Sequence, residues 1–155
     1  MKKKNNIGRD FDKLIITSGA TQVMDLATKS LCNFGDIIVC ENPSFIGSLN
    51  CFRSYGCKLK GVPVEEDGMD MNALEKVLKE NKTCVLFTPY PISKIRPAEL
   101  CHSKKERPCM HLPKKYGVLI LEDNPYGDLR VSGENVPTVK SMDEDGIVIY
   151  AGSFS

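Results

Sequence analysis

The strongest constraint on this chain is a set of short, unbroken apolar runs. They are Ile37-Ile38-Val39-Cys40, Thr83-Cys84-Val85-Leu86-Phe87, Val118-Leu119-Ile120-Leu121 and Ile147-Val148-Ile149-Tyr150. A strand with one wet face alternates polar and apolar residues. A run without polar breaks belongs to a strand covered on both faces, the situation of a parallel sheet between helices. Helical patterns fill the intervals. Val23, Met24, Ala27 and Leu31 form one stripe of a first helix. A second helix is expected from about Phe45 to Tyr55, closed by Gly56. Asp70 reads as the N-cap of a third, with Met71, Leu74, Val77 and Leu78 on its inner face. Lys58 to Val64 alternates as a strand, and Leu14-Ile15-Ile16 reads as another, leading into Ser18-Gly19-Ala20-Thr21. The expectation is an α/β fold: three layers, α/β/α, around a mixed, mostly parallel sheet.

Composition narrows the function. The 155 residues hold 21 Lys+Arg against 20 Asp+Glu, a net charge of +1, so no global field steers nucleic acid or acidic lipid. Lys2-Lys3-Lys4 reads as a solvated tail. No apolar run reaches the length of a membrane span, and no signal peptide follows the lysines. Seven scattered Cys then read as reduced thiols of a cytoplasmic protein.

Three turns carry candidate chemistry. Ser18-Gly19-Ala20-Thr21 opens a helix, where unpaired N–H groups and the helix dipole suit a phosphate. Its plainer reading is a capped strand-to-helix turn. Glu122-Asp123-Asn124-Pro125-Tyr126-Gly127 follows a buried strand, the place where open α/β sheets bind ligands. A carboxylate there can pair with a cationic ring nitrogen, and the Tyr can hydrogen-bond a ring hydroxyl. The plainer reading is an Asx-type turn. Gly152-Ser153-Phe154-Ser155 follows the last strand and could hold phosphate, or simply fray.

Taken in order, Ile-Ile-Thr-Ser-Gly-Ala-Thr-Gln, Gly-Asp-Ile-Ile-Val-Cys-Glu-Asn-Pro-Ser-Phe, Gly-Val-Pro-Val-Glu-Glu-Asp-Gly-Met-Asp, Leu-Glu-Asp-Asn-Pro-Tyr-Gly and Tyr-Ala-Gly-Ser-Phe-Ser resemble the class I/II aminotransferases. These are pyridoxal-phosphate enzymes of fold type I, and the branch most resembled is that of the 2-aminoadipate, aromatic and branched-chain aminotransferases. The resemblance implies that residues 1–155 are part of the large, cofactor-binding domain. It implies amino acid and 2-oxo acid substrates and a homodimer in the full-length parent. It also implies roles for seven residues. Gly19, Ala20 and Thr21 would hold the cofactor phosphate, with Ser153 adding a contact. Phe45 would stack on the pyridine ring. Asp123 would pair with the ring nitrogen, and Tyr126 would hydrogen-bond the ring hydroxyl.

Two family features are not found. The Schiff-base lysine is expected directly after Ser-Phe-Ser, one position beyond Ser155, so the chain as given is expected to be inactive. The Asn-Pro-Thr-Gly motif, expected after the strand ending near Phe87, is missing. In its place lies Pro89 to Pro113, a stretch without period that holds five of the nine prolines and both histidines. A structureless loop of that length is unusual in a compact domain. A shifted reading frame accounts for it. Sliding the frame back one base leaves one free letter per codon. Ile95, Arg96, Pro97 and Ala98 then permit AAT, CCG, ACC and GGC, or Asn-Pro-Thr-Gly. The same shift permits a Ser-capped amphipathic helix leading into Lys114-Lys115. Residues 89–113 are therefore expected to be frame-shifted and poorly structured, with exposed Cys and His. Cys101, His102, Cys109 and His111 could be taken for zinc ligands, but their spacing fits no usual finger and Pro108 interrupts it. No metal is expected.

A competing function shares the fold: the effector-binding domain of a transcription regulator, which a winged-helix segment upstream of Met1 would mark. Glu41-Asn42-Pro43-Ser44-Phe45 looks more like the enzymes.

Overall fold

The computed structural model describes residues 7–65, 68–89, 108–125 and 137–153. The elements run α1 (Ala20–Leu31), β1 (Ile37–Asn42), α2 (Ile46–Ser54), β2 (Lys58–Glu65), β3 (Gly68–Met69), α3 (Met71–Glu80), β4 (Thr83–Pro89), α4 (Pro108–Tyr116), β5 (Leu119–Asn124), a 3-10 turn (Lys140–Met142) and β6 (Val148–Gly152). The sheet order is β3-β2-β1-β4-β5-β6. All pairings are parallel except that of the two-residue β3 with β2. The expected mixed, mostly parallel sheet is therefore present.

Strand alternation sorts the core into two layers. Val39, Val62, Leu86, Ile120 and Val148 face α3, α4 and the 3-10 turn. Ile38, Val85, Phe87, Leu121 and Ala151 face α1 and α2. The unbroken apolar runs are thus double-faced, with successive side chains entering opposite layers. Phe52 of α2 meets Phe87 edge-on, ring centroids 5.1 Å apart. Asp70 caps α3 as expected, accepting from the N–H groups of Asn72 and Ala73.

Two expectations change. Leu14-Ile15-Ile16 is not a strand: its residues are 70%, 74% and 79% exposed, and among the described residues nothing pairs with them. Apolar composition gives a run the capacity to pair, but a strand also needs a neighbour to supply its hydrogen bonds. The stretch from Pro89 to Pro113 is structured at both ends. β4 extends to Pro89, and α4 begins at Pro108, with Leu112 and Pro113 buried. Pro113 lies inside this short helix, where it has no N–H to donate to the carbonyl four residues back. His111 is exposed, as expected. Residues 90–107, including Cys101 and His102, lie outside the described set.

A buried ionic knot anchors the N-terminal segment. Lys140 Nζ reaches Asp12 at 2.6 Å, Asp143 at 2.9 Å and the Val148 carbonyl at 2.9 Å. Asp143 also accepts from the N–H groups of Asp145, Gly146, Ile147 and Val148. Arg9 donates to the carbonyls of Ser141 and Asp143.

Candidate cofactor site

Because β1, β4, β5 and β6 are parallel, their carboxyl ends share one edge of the sheet. α1 runs the opposite way: Cys32, just past its last turn, touches Cys84 near the start of β4. The N-terminus of α1 therefore lies at the carboxyl edge. Topology thus brings Gly19, Ala20, Thr21, Phe45, Asp123 and Ser153 to one end of the sheet. Tyr126 lies outside the described residues.

The start of α1 has the features that suit an anion. Gly19 has φ 99° and ψ 171°, a region open essentially to glycine alone. Among the described residues, a Cβ placed there would meet nothing within 4 Å. No described side chain caps the helix, and its first turn carries no acidic residue. Gln22 N–H returns to the Gly19 carbonyl and Ser18 N–H donates to the Gln22 side chain. The N–H groups of Ala20 and Thr21 come too early in the helix to have partners within it.

Asp123 supplies the opposite requirement. It faces the α1/α2 layer, since its neighbours in alternation, Leu121 and Ala151, do so. Its Oδ1 is buried and has no hydrogen-bond partner among the described residues. Burial holds its carboxyl above the usual range. A buried acceptor without a donor is costly. A cationic ring N–H placed against Oδ1 would satisfy it and favour the ionised carboxylate. The residues present therefore fit a cofactor with an anionic phosphate and a basic ring nitrogen. Ser44 Oγ, after β1, and Asn124 Oδ1, at the end of β5, are also buried without a partner among the described residues.

Phe45 stands at the N-cap position of α2, 62% exposed, so its ring is available for stacking. Gly47 makes room for that ring: a Cβ there would come within 2.6 Å of it. Sequence reasoning overlooked Gly47. It also overlooked Glu122, the fully buried neighbour of Asp123. Glu122 faces the other layer and accepts from the N–H groups of Val139 and Lys140, each at 2.9 Å. Burial pushes its carboxyl up to about 7 against these hydrogen bonds. Glu41, bonded to Thr88 Oγ1 at 2.8 Å, is likewise pushed up to about 7 by burial. The signal available in sequence was a carboxylate inside each apolar strand. Among the described residues no group of side chains could hold a metal ion, and no helix is long and apolar enough to cross a membrane.

The family model for aminotransferase class I and II matches residues 1–155. The aromatic-amino-acid aminotransferase 1 of Thermococcus litoralis is 35% identical over 159 residues, covering 100% of this chain and 38% of that protein. The uncharacterized HTH-type transcriptional regulator YjiR of Escherichia coli is 31% identical, over 93% of this chain and 31% of its own length. Among solved structures, the kynurenine aminotransferase of Pyrococcus horikoshii superposes with a TM-score of 0.85 at 32% identity. It covers 99% of this chain and 39% of that one. The chain therefore spans well under half the length of these relatives.

Proposed function

The chain belongs to the class I and II aminotransferases, and on that premise we propose that it forms the cofactor-binding part of a pyridoxal-phosphate-dependent transaminase. The parent enzyme moves an amino group from an amino acid to a 2-oxo acid, as a cytoplasmic homodimer. When bound, pyridoxal phosphate supplies an electron sink for the substrate's α-carbon. The residues of this chain bind and orient the cofactor. The Ala20 and Thr21 N–H groups hold the phosphate, Gly19 opens the space for it, and the Thr21 hydroxyl and Ser153 add contacts. Phe45 covers a ring face, Asp123 keeps the ring nitrogen protonated, and Tyr126 donates to the ring hydroxyl. The observation that carries the reading is the orphaned, buried Oδ1 of Asp123 on the face that α1 covers.

Residues 89–113 fit a shifted frame whose proper reading restores Asn-Pro-Thr-Gly. The likeness to YjiR supports a second reading, a regulator's effector-binding domain, which would use the same site without turnover. The cofactor reading is tested by titrating the chain with pyridoxal phosphate and following ring absorbance. Saturable binding that excess inorganic phosphate competes away is expected. Absence of saturable binding would overturn it.

A further inference from the structure

At the opposite edge of the sheet from the cofactor site, three cysteines converge. Cys32 follows the last turn of α1, Cys57 precedes β2, and Cys84 is the second residue of β4. The Sγ atoms of Cys32 and Cys84 are 3.1 Å apart. Cys57 lies in the core layer that Cys32 packs against. The approach of Cys84 has a local cause. Thr83 pairs with Ile37 and Val85 with Ile38, so Cys84 is the extra residue of a bulge. Bulges re-aim side chains, and here Cys84 Sγ turns toward Cys32, with the Ile37 carbonyl 3.4 Å away.

We propose that Cys32 and Cys84 are a redox-active dithiol that a hydroperoxide oxidises to an intramolecular disulfide. Either sulfur can donate its S–H across the 3.1 Å contact. The donated S–H favours the thiolate of the accepting cysteine, which is the attacking sulfur. That thiolate takes the distal peroxide oxygen, the O–O bond breaks, and the alkoxide leaves as alcohol after taking a proton. The sulfur of the other cysteine then attacks the sulfenic acid, forming the S–S bond and releasing water. The two sulfurs together lose two electrons and the peroxide gains them. Both side chains are half-buried, so a small peroxide can reach them. Closing 3.1 Å to a bonded 2.05 Å needs about 1 Å of side-chain movement. Cys40 and Cys51 are held as thiols by burial, which raises both, and are poorer nucleophiles.

The test treats the reduced full chain with one equivalent of hydrogen peroxide, blocks remaining thiols, digests it and maps disulfides by mass spectrometry. A second sample is oxidised in denaturing guanidinium. In the native sample the Cys32–Cys84 pair should exceed every other pair by about tenfold or more, and dithiothreitol should reverse it. In denaturant that preference should vanish. Cys51→Ser should leave the native result unchanged, and Cys84→Ser should abolish the pair. The same mixture of pairs in both samples, or a dominant Cys32–Cys57 pair in the native one, would overturn the proposal.

Discussion

Glu122 and Asp123 are consecutive on β5 and point to opposite faces of the sheet, one satisfied and the other not. Glu122 receives two backbone N–H groups at 2.9 Å, whereas Asp123 Oδ1 receives none among the described residues. Chemically similar carboxylates thus have separate tasks, decided by the two-residue period of the strand. Glu122 holds the turn at Val139 and Lys140 in place. Asp123 keeps an acceptor that no described residue fills.

Gly19 should be intolerant of a side chain for backbone reasons alone. Its φ of 99° excludes Ala at a cost of about 1–3 kcal/mol, although among the described residues nothing lies within 4 Å of the added Cβ. Gly19→Ala is expected to weaken pyridoxal-phosphate binding and to shift the N-terminus of α1. Pyridoxal lacking the phosphate should lose far less on the same substitution. Parallel absorbance titrations of the two ligands check this.

The ionic knot should be a main stability determinant. Lys140→Met leaves Asp143 and Asp12 without their shared cation, and breaking a buried pair costs about 3–5 kcal/mol. Urea unfolding should show a loss of that order. Despite burial, Lys140 and the backbone donors hold Asp143 below the usual carboxylate range. Its contribution is therefore present above the unfolded pKa and is lost as pH falls through the lower folded value.

Glu41 should make stability fall with rising pH. Its carboxyl is raised from 4.5 to about 7 by burial, so the folded state binds the proton more tightly than the unfolded state does. The stabilisation is full below about pH 4.5 and is lost as pH rises through about 7. Glu41→Gln keeps the acceptor for Thr88 and cannot ionise. It should reduce the slope of the melting-temperature profile between about pH 5 and 8 without abolishing it, since Glu122 is raised to about 7 as well, and thermal denaturation across that range will show this.

Much of the architecture was legible because it rests on local pattern. The four apolar runs marked β1, β4, β5 and β6, the alternation from Lys58 to Val64 marked β2, and Asp70 announced α3 through its own cap. Leu14-Ile15-Ile16 misled because pairing is a non-local property. Glu122 and Lys140 were illegible for a related reason: nothing near them in sequence shows that a buried carboxylate will find backbone donors some seventeen residues on. Gly19 and Asp123 were legible as chemistry, but the orphaned oxygen became visible only once the layers were assembled.

The shifted frame makes a separate claim about the coding DNA. Read one base back across residues 87–113, it should encode Asn-Pro-Thr-Gly where the present frame gives Ile95-Arg96-Pro97-Ala98. Sequencing the gene through this stretch decides it. Any other four residues in that frame would contradict the claim.

The central claim, that Asp123 is kept for a cationic cofactor nitrogen, is tested most directly by the affinity of Asp123→Asn for pyridoxal phosphate. The substitution replaces a buried carboxyl, whose Oδ1 has no partner among the described residues, with a neutral amide. The apo chain should melt no lower than the parent, while cofactor affinity falls by about tenfold or more, a loss of at least about 1.4 kcal/mol. Equal affinity in the two proteins, measured by titration calorimetry with both folded, would contradict the account.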